Sequence, residues 1–311
     1  MLARTLRLVS VLWLLALAAG VVAGLRHGWS GGPGVLVAAV LFAHPASLLA
    51  ETLLMARVNR SAGVPGMQAR RLLRAWWGEW PASSATFGWH MPWREQAWPD
   101  HLPAHLQGRR GVVLVHGFIC NRAVWNPLMA GLQRQGHPFI AVTLTPVFGD
   151  IDGYAAQLGA AVERLQAATG LPPFIVCHSM GGLVARAWLR HQVHAGAPVD
   201  VPCIVTIGTP HRGTWLARCA LTTNGRQMRL GSAWLEGFAD TPALAEHAAR
   251  FVCWWSDCDQ IVFPPPAAVL AGAEACAMPG VAHVALSRHP VVHADLLRRL
   301  RESEAPIRPR P

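Results

Sequence analysis

Hydrophobic positions fall into two patterns that divide the chain near residue 110. Before that point two long apolar runs predominate, Leu8–Leu25 and Gly34–Ala56. After it, short runs rich in β-branched residues alternate with segments of helical length. Strands that alternate with helices are typical of a mostly parallel sheet covered by helices on both faces. The second part of the chain is therefore predicted to be an α/β domain.

The short apolar runs predict six strands, and the segments between them predict the covering helices. Asp150 or Asp152 is expected to cap the second of these helices, because a carboxylate there accepts a backbone N–H of the first turn. The strands are predicted at 112–115, 139–144, 174–177, 203–207, 251–255 and 274–278, and the helices at 122–135, 153–168, 181–194 and 290–301.

The first apolar run predicts a membrane helix or a signal peptide. Leu8–Leu25 carries no charge, and at about 1.5 Å per residue it would cross most of a hydrocarbon core about 30 Å thick. Arg4 and Arg7 precede it, and small residues follow its leucine-rich centre, which also fits a cleavable signal. This run alone leaves both interpretations open.

The second apolar run favours a helical hairpin in the membrane. Gly34–Ala56 is mostly apolar, although Pro45 and Glu51 interrupt it. Arginines flank the outer ends of the two runs, while the loop between them carries only Arg26. The positive-inside rule then places both ends, and the α/β domain, in the cytoplasm at the inner membrane. Two alternatives stay open: a second helix lying on the membrane surface, and an exported α/β domain.

Between the hairpin and the α/β domain lies a connector rich in tryptophan. The predicted organisation is a membrane-anchoring hairpin at 1–60, the connector at 61–108, the α/β domain at 109–302 and a disordered tail at 303–311. Tryptophan is favoured where an apolar surface meets water. The connector is thus expected either at the lipid headgroups or packed on the domain.

Composition narrows the classes of partner. The net charge is +10, and all 27 basic residues besides histidine are arginines, yet no motif that reads nucleic-acid bases accompanies them. A nucleic-acid partner is therefore not expected. Seven cysteines are scattered through apolar runs and are predicted to be buried thiols. Cys253 and Cys258 would be the first pair to consider in an oxidising compartment.

Candidate chemistry begins with the stretch FIVCHSMGG, in which a predicted strand runs through Ser179 into a helix. This placement fits a nucleophile elbow, a strained turn that needs small residues on either side of the serine. Gly181 satisfies that need, whereas Cys177 stands where glycine is usual. Amides at the start of the helix, beginning with Met180, would face a developing oxyanion. The pattern alone is weak, because serines often cap helices.

Candidate partners for Ser179 follow other predicted strands. In VLVHGF, the loop after the first strand can offer the backbone N–H of Phe118 to an oxyanion, and we assign no chemistry to the histidine before it. The loop SDCDQIV offers Asp257 and Asp259, and GVAHVAL offers His283. A serine hydroxyl needs a base, and an imidazole serves best when a carboxylate fixes its tautomer.

Five motifs in order resemble the bacterial lipase and esterase branch of the α/β-hydrolase fold: VHGF, CHSMGG, TIGTPHRGT, SDCDQIV and GVAHVAL. The resemblance covers roughly Gly111–Leu300. It implies a catalytic triad and an oxyanion hole, with Asp257 as the alternative acid. It also implies a lid or acyl-binding wall at 213–248, for which an ordinary covering helix pair is the other interpretation. The implied residues are Ser179 (nucleophile), Asp259 (acid), His283 (base), and Phe118 and Met180 (oxyanion-binding amides).

The resemblance implies a serine hydrolase that cleaves carboxylic esters, with acyl lipids among the candidate substrates, and the two apolar runs predict that it is anchored in the membrane. No metal and no organic cofactor is expected, and the partners would be an ester or acyl-lipid substrate and membrane lipid. Acyl transfer and thioester hydrolysis could use the same residues. A catalytically silent fold that serves as a membrane-bound interaction module is the alternative from another class, and oligomeric state is left open.

Overall fold

A six-stranded sheet forms the centre of the molecule. The computed structural model describes residues 1–64, 68–238 and 245–304. The strands are β1 (Val112–Val115), β2 (Phe139–Val142), β3 (Phe174–His178), β4 (Ile204–Ile207), β5 (Phe251–Trp255) and β6 (Glu274–Ala277). Their order across the sheet is β2-β1-β3-β4-β5-β6, and every neighbouring pair is parallel.

Helices precede the sheet and cover it. The described α-helices are α1 (Leu2–His27), α2 (Gly32–Ser61), α3 (Ala69–Ser83), α4 (Met91–Trp93), α5 (Asn126–Arg134), α6 (Ile151–Thr169), α7 (Gly181–His194), α8 (Thr223–Gln227), α9 (Ala233–Glu236), α10 (His283–Ser287) and α11 (Pro290–Glu304). A wide π-helical turn, Ser84–His90, joins α3 to α4.

The core has two layers, one on each face of the sheet. Val113 and Val115 of β1 belong to the layer shared with α6 and α7. Val112 and Leu114 belong to the layer shared with α5 and α11. Successive side chains of a strand point to opposite faces, so a strand buried on both faces reads as a continuous apolar run. The predicted α/β architecture is confirmed.

Most predicted bounds hold within a few residues. Strands 112–115 and 251–255 and helix 181–194 match to the residue. The helix predicted at 122–135 opens as a 3-10 turn, in which the Asn121 side chain accepts from Ala123 N at 3.1 Å. Asp150 caps α6, because its Oδ1 accepts from Asp152 N at 2.9 Å.

The two N-terminal helices pack against each other as a hairpin with many exposed leucines. Both are long and apolar enough to cross a membrane by length and composition, a test that a signal sequence also passes. The predicted apolar runs lie inside them. Leu12 of α1 and Phe42 of α2 are 55% and 61% exposed. This apolar surface has no protein partner in the described chain.

The second half of α2 packs on the rest of the protein. Its buried residues, spaced three or four apart on one helical face, are Pro45, Leu48, Thr52, Met55 and Asn59. The part of α2 before this stripe is about 20 Å long at the helical rise. That length is shorter than a hydrocarbon core about 30 Å thick. A crossing of the membrane by α2 therefore also needs its second half, whose outer face stays exposed at Leu49 and Leu53.

The connector is built as part of the protein core. On α3, Ala75, Glu79 and Ser83 face inward, while Trp77 is 64% exposed. The Trp76 indole Nε1 donates to the Pro45 carbonyl at 2.8 Å, which ties α3 to α2. Both interpretations of the connector thus have support, since one face packs on protein and the other carries exposed tryptophan.

The segment predicted as a lid is well anchored where it is described. It contains α8 and α9, and residues 239–244 lie outside the described chain. Asn224 Nδ2 donates to the Val147 carbonyl at 2.9 Å, and Trp234 Nε1 donates to Asp152 Oδ2 at 2.8 Å. These bonds hold α8 and α9 to the loop before α6 and to its first turn. Whether the segment acts as a lid stays a prediction.

Two smaller expectations need correction. The tail was expected to begin at residue 303, but α11 continues to Glu304, whose Oε1 accepts from Arg110 N at 2.8 Å; residues 305–311 lie outside the described chain. Of the seven cysteines, Cys219 is exposed and Cys276 half-buried, whereas the other five are buried as expected. Cys253 Sγ lies 3.5 Å from His211 Nε2, and the disulfide considered for it is not present.

Candidate active site

Ser179 sits on a strained turn between β3 and α7. Its φ is 54°, a left-handed value that side chains rarely adopt. Such a turn needs close approach of the neighbouring chain, and a Cβ at Gly181 would lie 2.5 Å from the Val115 carbonyl oxygen. Cys177, which replaces the usual glycine, is fully buried within β3 and leaves this conformation intact. The predicted elbow geometry is present.

The loop that follows β1, next to Ser179, is also strained. Ile119 has φ 51°. Among the described residues, Ile119 and Ser179 are the two non-glycine residues with a positive φ. Phe118 precedes Ile119, and its ring lies 5.9 Å from that of Phe148. Strained backbone concentrates at functional sites. The amides of Phe118 and Met180 stay the predicted pair for an oxyanion.

His283 and Asp259 form a buried pair. His283 Nδ1 lies 2.8 Å from Asp259 Oδ2, and both side chains are almost fully buried. Asp259 Oδ1 accepts from the amides of Ile261 and Val262 at 2.9 and 2.7 Å, which fixes the carboxylate. A Cβ at Gly208 would lie 2.9 Å from Asp259 Oδ2, so the glycine leaves room for the pair.

The electrostatics of this pair favour a charged imidazole. Burial alone would lower the pKa of His283, but the charge of Asp259 and its hydrogen bond oppose that effect. The charges of Glu79 and Glu51 act in the same direction as Asp259, and the net result is a raised pKa of His283. The imidazole of His283 is therefore protonated more readily in this site than a histidine side chain in water.

Asp257, the alternative acid, points elsewhere. Its Oδ1 accepts from Gly280 N at 2.7 Å, and its Oδ2 pairs with Arg71 Nη1 at 3.2 Å. It thereby ties α3 to the loop before His283. The carboxylate that the structure brings to His283 is Asp259.

Of the other histidines considered at first, His116 is structural, as expected. Its Nε2 accepts from Leu144 N at 2.9 Å and its Nδ1 lies 2.8 Å from the Gly117 carbonyl oxygen. Burial lowers the pKa of His116 to about 4, so the ring is neutral at ordinary pH. It links the loops that follow β1 and β2.

Two residues near the site carried no role in the sequence analysis. The first is His178, whose ring centroid lies 4.6 Å from that of His283. Its Nε2 lies 3.3 Å from the His283 carbonyl oxygen and donates to it. Burial lowers the pKa of His178 well below its ordinary value, so the ring is a neutral support. Its position directly before Ser179 was the signal available.

The second is Glu79 on α3, which is buried against the histidine loop. Its Oε1 accepts from Val284 N at 3.0 Å and from Gln260 Nε2 at 2.9 Å, and its Oε2 accepts from Ala285 N at 2.9 Å. Burial raises the pKa of Glu79, while these donors oppose the shift. The signal in the sequence was a lone acidic residue inside the apolar stretch WWGEWP.

The remaining titratable side chains form no metal-binding cluster in the described part of the chain, where no group of three His, Cys, Asp or Glu is placed to hold an ion. His293, which the sequence places four residues after His289, lies 2.9 Å from the Ser287 carbonyl oxygen through its Nε2 and donates to it.

Known proteins resemble this chain in sequence and in structure. Triacylglycerol lipases of Pseudarthrobacter phenanthrenivorans and Burkholderia plantarii are each 36% identical to it over 118 residues, 35% of this chain. The match spans about a third of each relative, 35% and 32% of their lengths. The resemblance to bacterial lipases that the motifs indicated is confirmed.

Solved lipases share the fold. The mature lipase BlEst2 of Bacillus licheniformis superposes with a TM-score of 0.54 at 18% identity, over 65% of this chain and 94% of that one. Lipase B of Aspergillus fumigatus gives 0.56 at 16% identity, over 65% and 55%. The family model described as "Alpha/beta hydrolase family" matches residues 112–305, more than half of the chain. The chain belongs to the alpha/beta hydrolase family.

Proposed function

We propose that the protein is a membrane-anchored carboxylic ester hydrolase that acts through Ser179, His283 and Asp259. The observation that carries the proposal is the buried 2.8 Å pair of His283 and Asp259 in a fold where Ser179 occupies a strained elbow. Similarity to triacylglycerol lipases supports esters as the substrate class. The order Ser, Asp, His along the chain is the one this fold uses.

The proposed first half-reaction forms an acyl-enzyme. His283 Nδ1–H donates a hydrogen bond to Asp259 and keeps its proton, which leaves Nε2 unprotonated as the base for the Ser179 hydroxyl. The serine oxygen attacks the ester carbonyl as its proton moves to Nε2. Amides of Phe118 and Met180 would stabilise the negative charge on the carbonyl oxygen. The imidazolium then gives its proton to the leaving alcohol, and the carbon–oxygen bond to that alcohol breaks.

The second half-reaction uses water in place of the alcohol. His283 takes a proton from water, the hydroxide attacks the acyl carbon, and the proton returns to the serine oxygen as the acid leaves. Neither half needs a metal or an organic cofactor. An alcohol or a thiol that replaced water would make the same residues a transferase, which a product analysis distinguishes.

Membrane lipid is the proposed source of substrate, because the base of the hairpin borders the site. Leu2 and Leu6 of α1 pack against a hydrophobic cluster that contains Cys120, two residues beyond Phe118. Met55 of α2 belongs to the same cluster as Ala282, the residue before His283. Both loops of the proposed site thus lie beside the helices that carry the exposed apolar surface. An acyl chain that leaves the bilayer there has a short route to Ser179.

Chain-length dependence tests the substrate class. Purified protein in detergent would be assayed with p-nitrophenyl esters of increasing acyl length, with Ser179→Ala as the matched control. We expect hydrolysis that rises from acetyl to medium and long chains and is absent in the variant. Equal activity of both proteins, after exclusion of contaminating esterase, would contradict the proposal.

The proposed location is the cytoplasmic face of the inner membrane. Support comes from the two apolar helices, from the arginines at their outer ends and from buried thiols that suit a reducing compartment. A carboxyl-terminal alkaline phosphatase fusion should be inactive and a fluorescent-protein fusion bright, with the protein resisting carbonate extraction. An active phosphatase fusion would show that the domain is exported.

A further inference from the structure

Glu79 is a buried carboxylate supplied from outside the hydrolase core. It lies on α3, well before residues 112–305, which the family model covers. Only 2% of the residue is exposed. Burial of a carboxylate is costly unless hydrogen bonds compensate it, and a glutamine or an apolar residue would avoid that cost. A carboxylate at this buried position therefore indicates that its charge has a function.

The contacts of Glu79 converge on the backbone around His283. The carboxylate accepts from the backbone N–H groups of Val284 and Ala285, the two residues that directly follow His283. Through Gln260 it reaches a third, because Nε2 of Gln260 donates to Glu79 and Oε1 accepts from His283 N at 3.1 Å. Gln260 is also the neighbour of Asp259. One carboxylate therefore fixes the histidine loop relative to the aspartate loop.

We propose that Glu79 is a positioning residue for His283: it holds the loop that carries the imidazole, and its negative charge stabilises the imidazolium that forms during ester cleavage. The inference rests on the proposed triad. It makes α3, the helix that joins the membrane hairpin to the hydrolase core, a necessary part of the active site.

Four groups face the imidazole from the elements packed around it. Asp259 contacts the ring from the loop after β5, and the neutral His178 at the end of β3 packs against it with the two ring planes tilted by 42°. Glu79 on α3 and Glu51 on α2 act through their charges, both in the direction that raises the pKa of His283. All three described contacts of Glu79 come from N–H donors. Such a set favours the ionised carboxylate.

Glu79→Gln tests the charge while it keeps the size of the side chain. Because an amide cannot accept at both of its ends, the loop also loses part of its support. We expect kcat to fall about 10- to 100-fold, by analogy with residues that orient the ligands of a metal site, with KM within about twofold. The acid limb of kcat/KM should move to lower pH, since the imidazolium has lost a stabilising charge.

Glu79→Asp is the conservative variant, because it keeps the charge on a shorter side chain. We expect its acid limb at the wild-type position and its kcat above that of Glu79→Gln. Asp257→Asn is the matched control. It also breaks a bond between α3 and the hydrolase core, through Arg71, but it does not face the imidazole. Its kcat and pH profile should stay close to wild type.

Rates would be divided by the concentration of active sites titrated with a fluorophosphonate, so that unfolded protein does not lower the measured kcat. Wild-type kcat and an unmoved acid limb in Glu79→Gln would overturn the inference. Equal losses in the Gln and Asp variants with both limbs unmoved would also overturn it, as they indicate a purely structural carboxylate. If the Gln variant does not fold, the Asp variant decides by its kcat: a lowered kcat with an unmoved limb supports the positioning role, and a wild-type kcat on the shorter side chain overturns it. Failure of the triad itself would appear separately, as activity retained by Ser179→Ala.

Discussion

Two buried carboxylates approach His283 from opposite parts of the chain. Asp259, in a loop of the hydrolase core, bonds to the ring at 2.8 Å. Glu79, on a helix next to the membrane hairpin, bonds to the backbone after the histidine at 3.0 and 2.9 Å. Asp259 belongs to one of the sequence motifs shared with lipases, SDCDQIV, whereas Glu79 belongs to none of them. The hydrolase core supplies the proposed chemistry, and the helices α1 to α3, called here the N-terminal layer, hold part of it in place through Glu79.

The largest expected effect lies in the core. Ser179→Ala should lower kcat by on the order of 10⁴-fold or more, the usual cost of losing a member of a working triad. The fold should persist, because the change removes one oxygen from a residue that is 7% exposed. Circular dichroism and ester turnover on the same sample would check this. Substantial turnover by the variant would remove Ser179 from the mechanism.

The next effect separates the two aspartates. Asp259→Asn should lower kcat by about 10³- to 10⁴-fold, since an amide permits the wrong histidine tautomer. Asp257→Asn should lower it no more than a few-fold, because its partners are Arg71 and Gly280 N. Steady-state kinetics of both variants would decide. The reverse ranking would assign the acid to Asp257.

A stability measurement tests whether the N-terminal layer belongs to the folded unit. Met55 of α2 is completely buried against Ala282 and Phe263. Met55→Ala should lower the free energy of unfolding by about 2–5 kcal/mol, the usual cost of truncating a buried side chain. Thermal unfolding in detergent, followed by loss of activity, would report it. Leu41→Ala, at a half-exposed position of the same helix, is the control and should leave the midpoint unchanged.

The smallest effect is a pH shift. The proposed base must be neutral, so kcat/KM should fall as pH drops through the pKa of His283. The charges of Asp259 and Glu79 outweigh burial and raise that pKa above its ordinary value of 6.5. The acid limb should therefore lie above pH 6.5. A limb below that value in the wild-type protein would mean that burial prevails over the carboxylates.

Sequence patterns predicted the core well because its rules are local. Continuous apolar runs mark strands buried on both faces, and β1 and β5 were placed to the residue. Ser179, Asp259 and His283 stay the predicted triad: the loops after β3, β5 and β6 lie at one edge of a parallel sheet, and the structure pairs Asp259 with His283. The Asp150 cap of α6 followed from the preference of carboxylates for that position.

The N-terminal layer was harder to predict because its contacts span long sequence separations. Glu79 bonds to residues about 205 positions away, and no periodicity in WWGEWP indicates that partner. An apolar run such as α2 also gives no sign that half of it packs on protein. His178 was overlooked for another reason: a histidine before the nucleophile has no role in the motif, and only the fold brings its ring to 4.6 Å from that of His283.

The most direct test of the proposed chemistry is covalent labelling of the wild-type protein with a fluorophosphonate, followed by peptide mass spectrometry. A phosphonate adduct should form on Ser179, and its rate of formation should fall at least about 10³-fold in His283→Ala, because the serine then lacks its base. An adduct on another residue, or labelling of Ser179 that does not depend on His283, would contradict the mechanism.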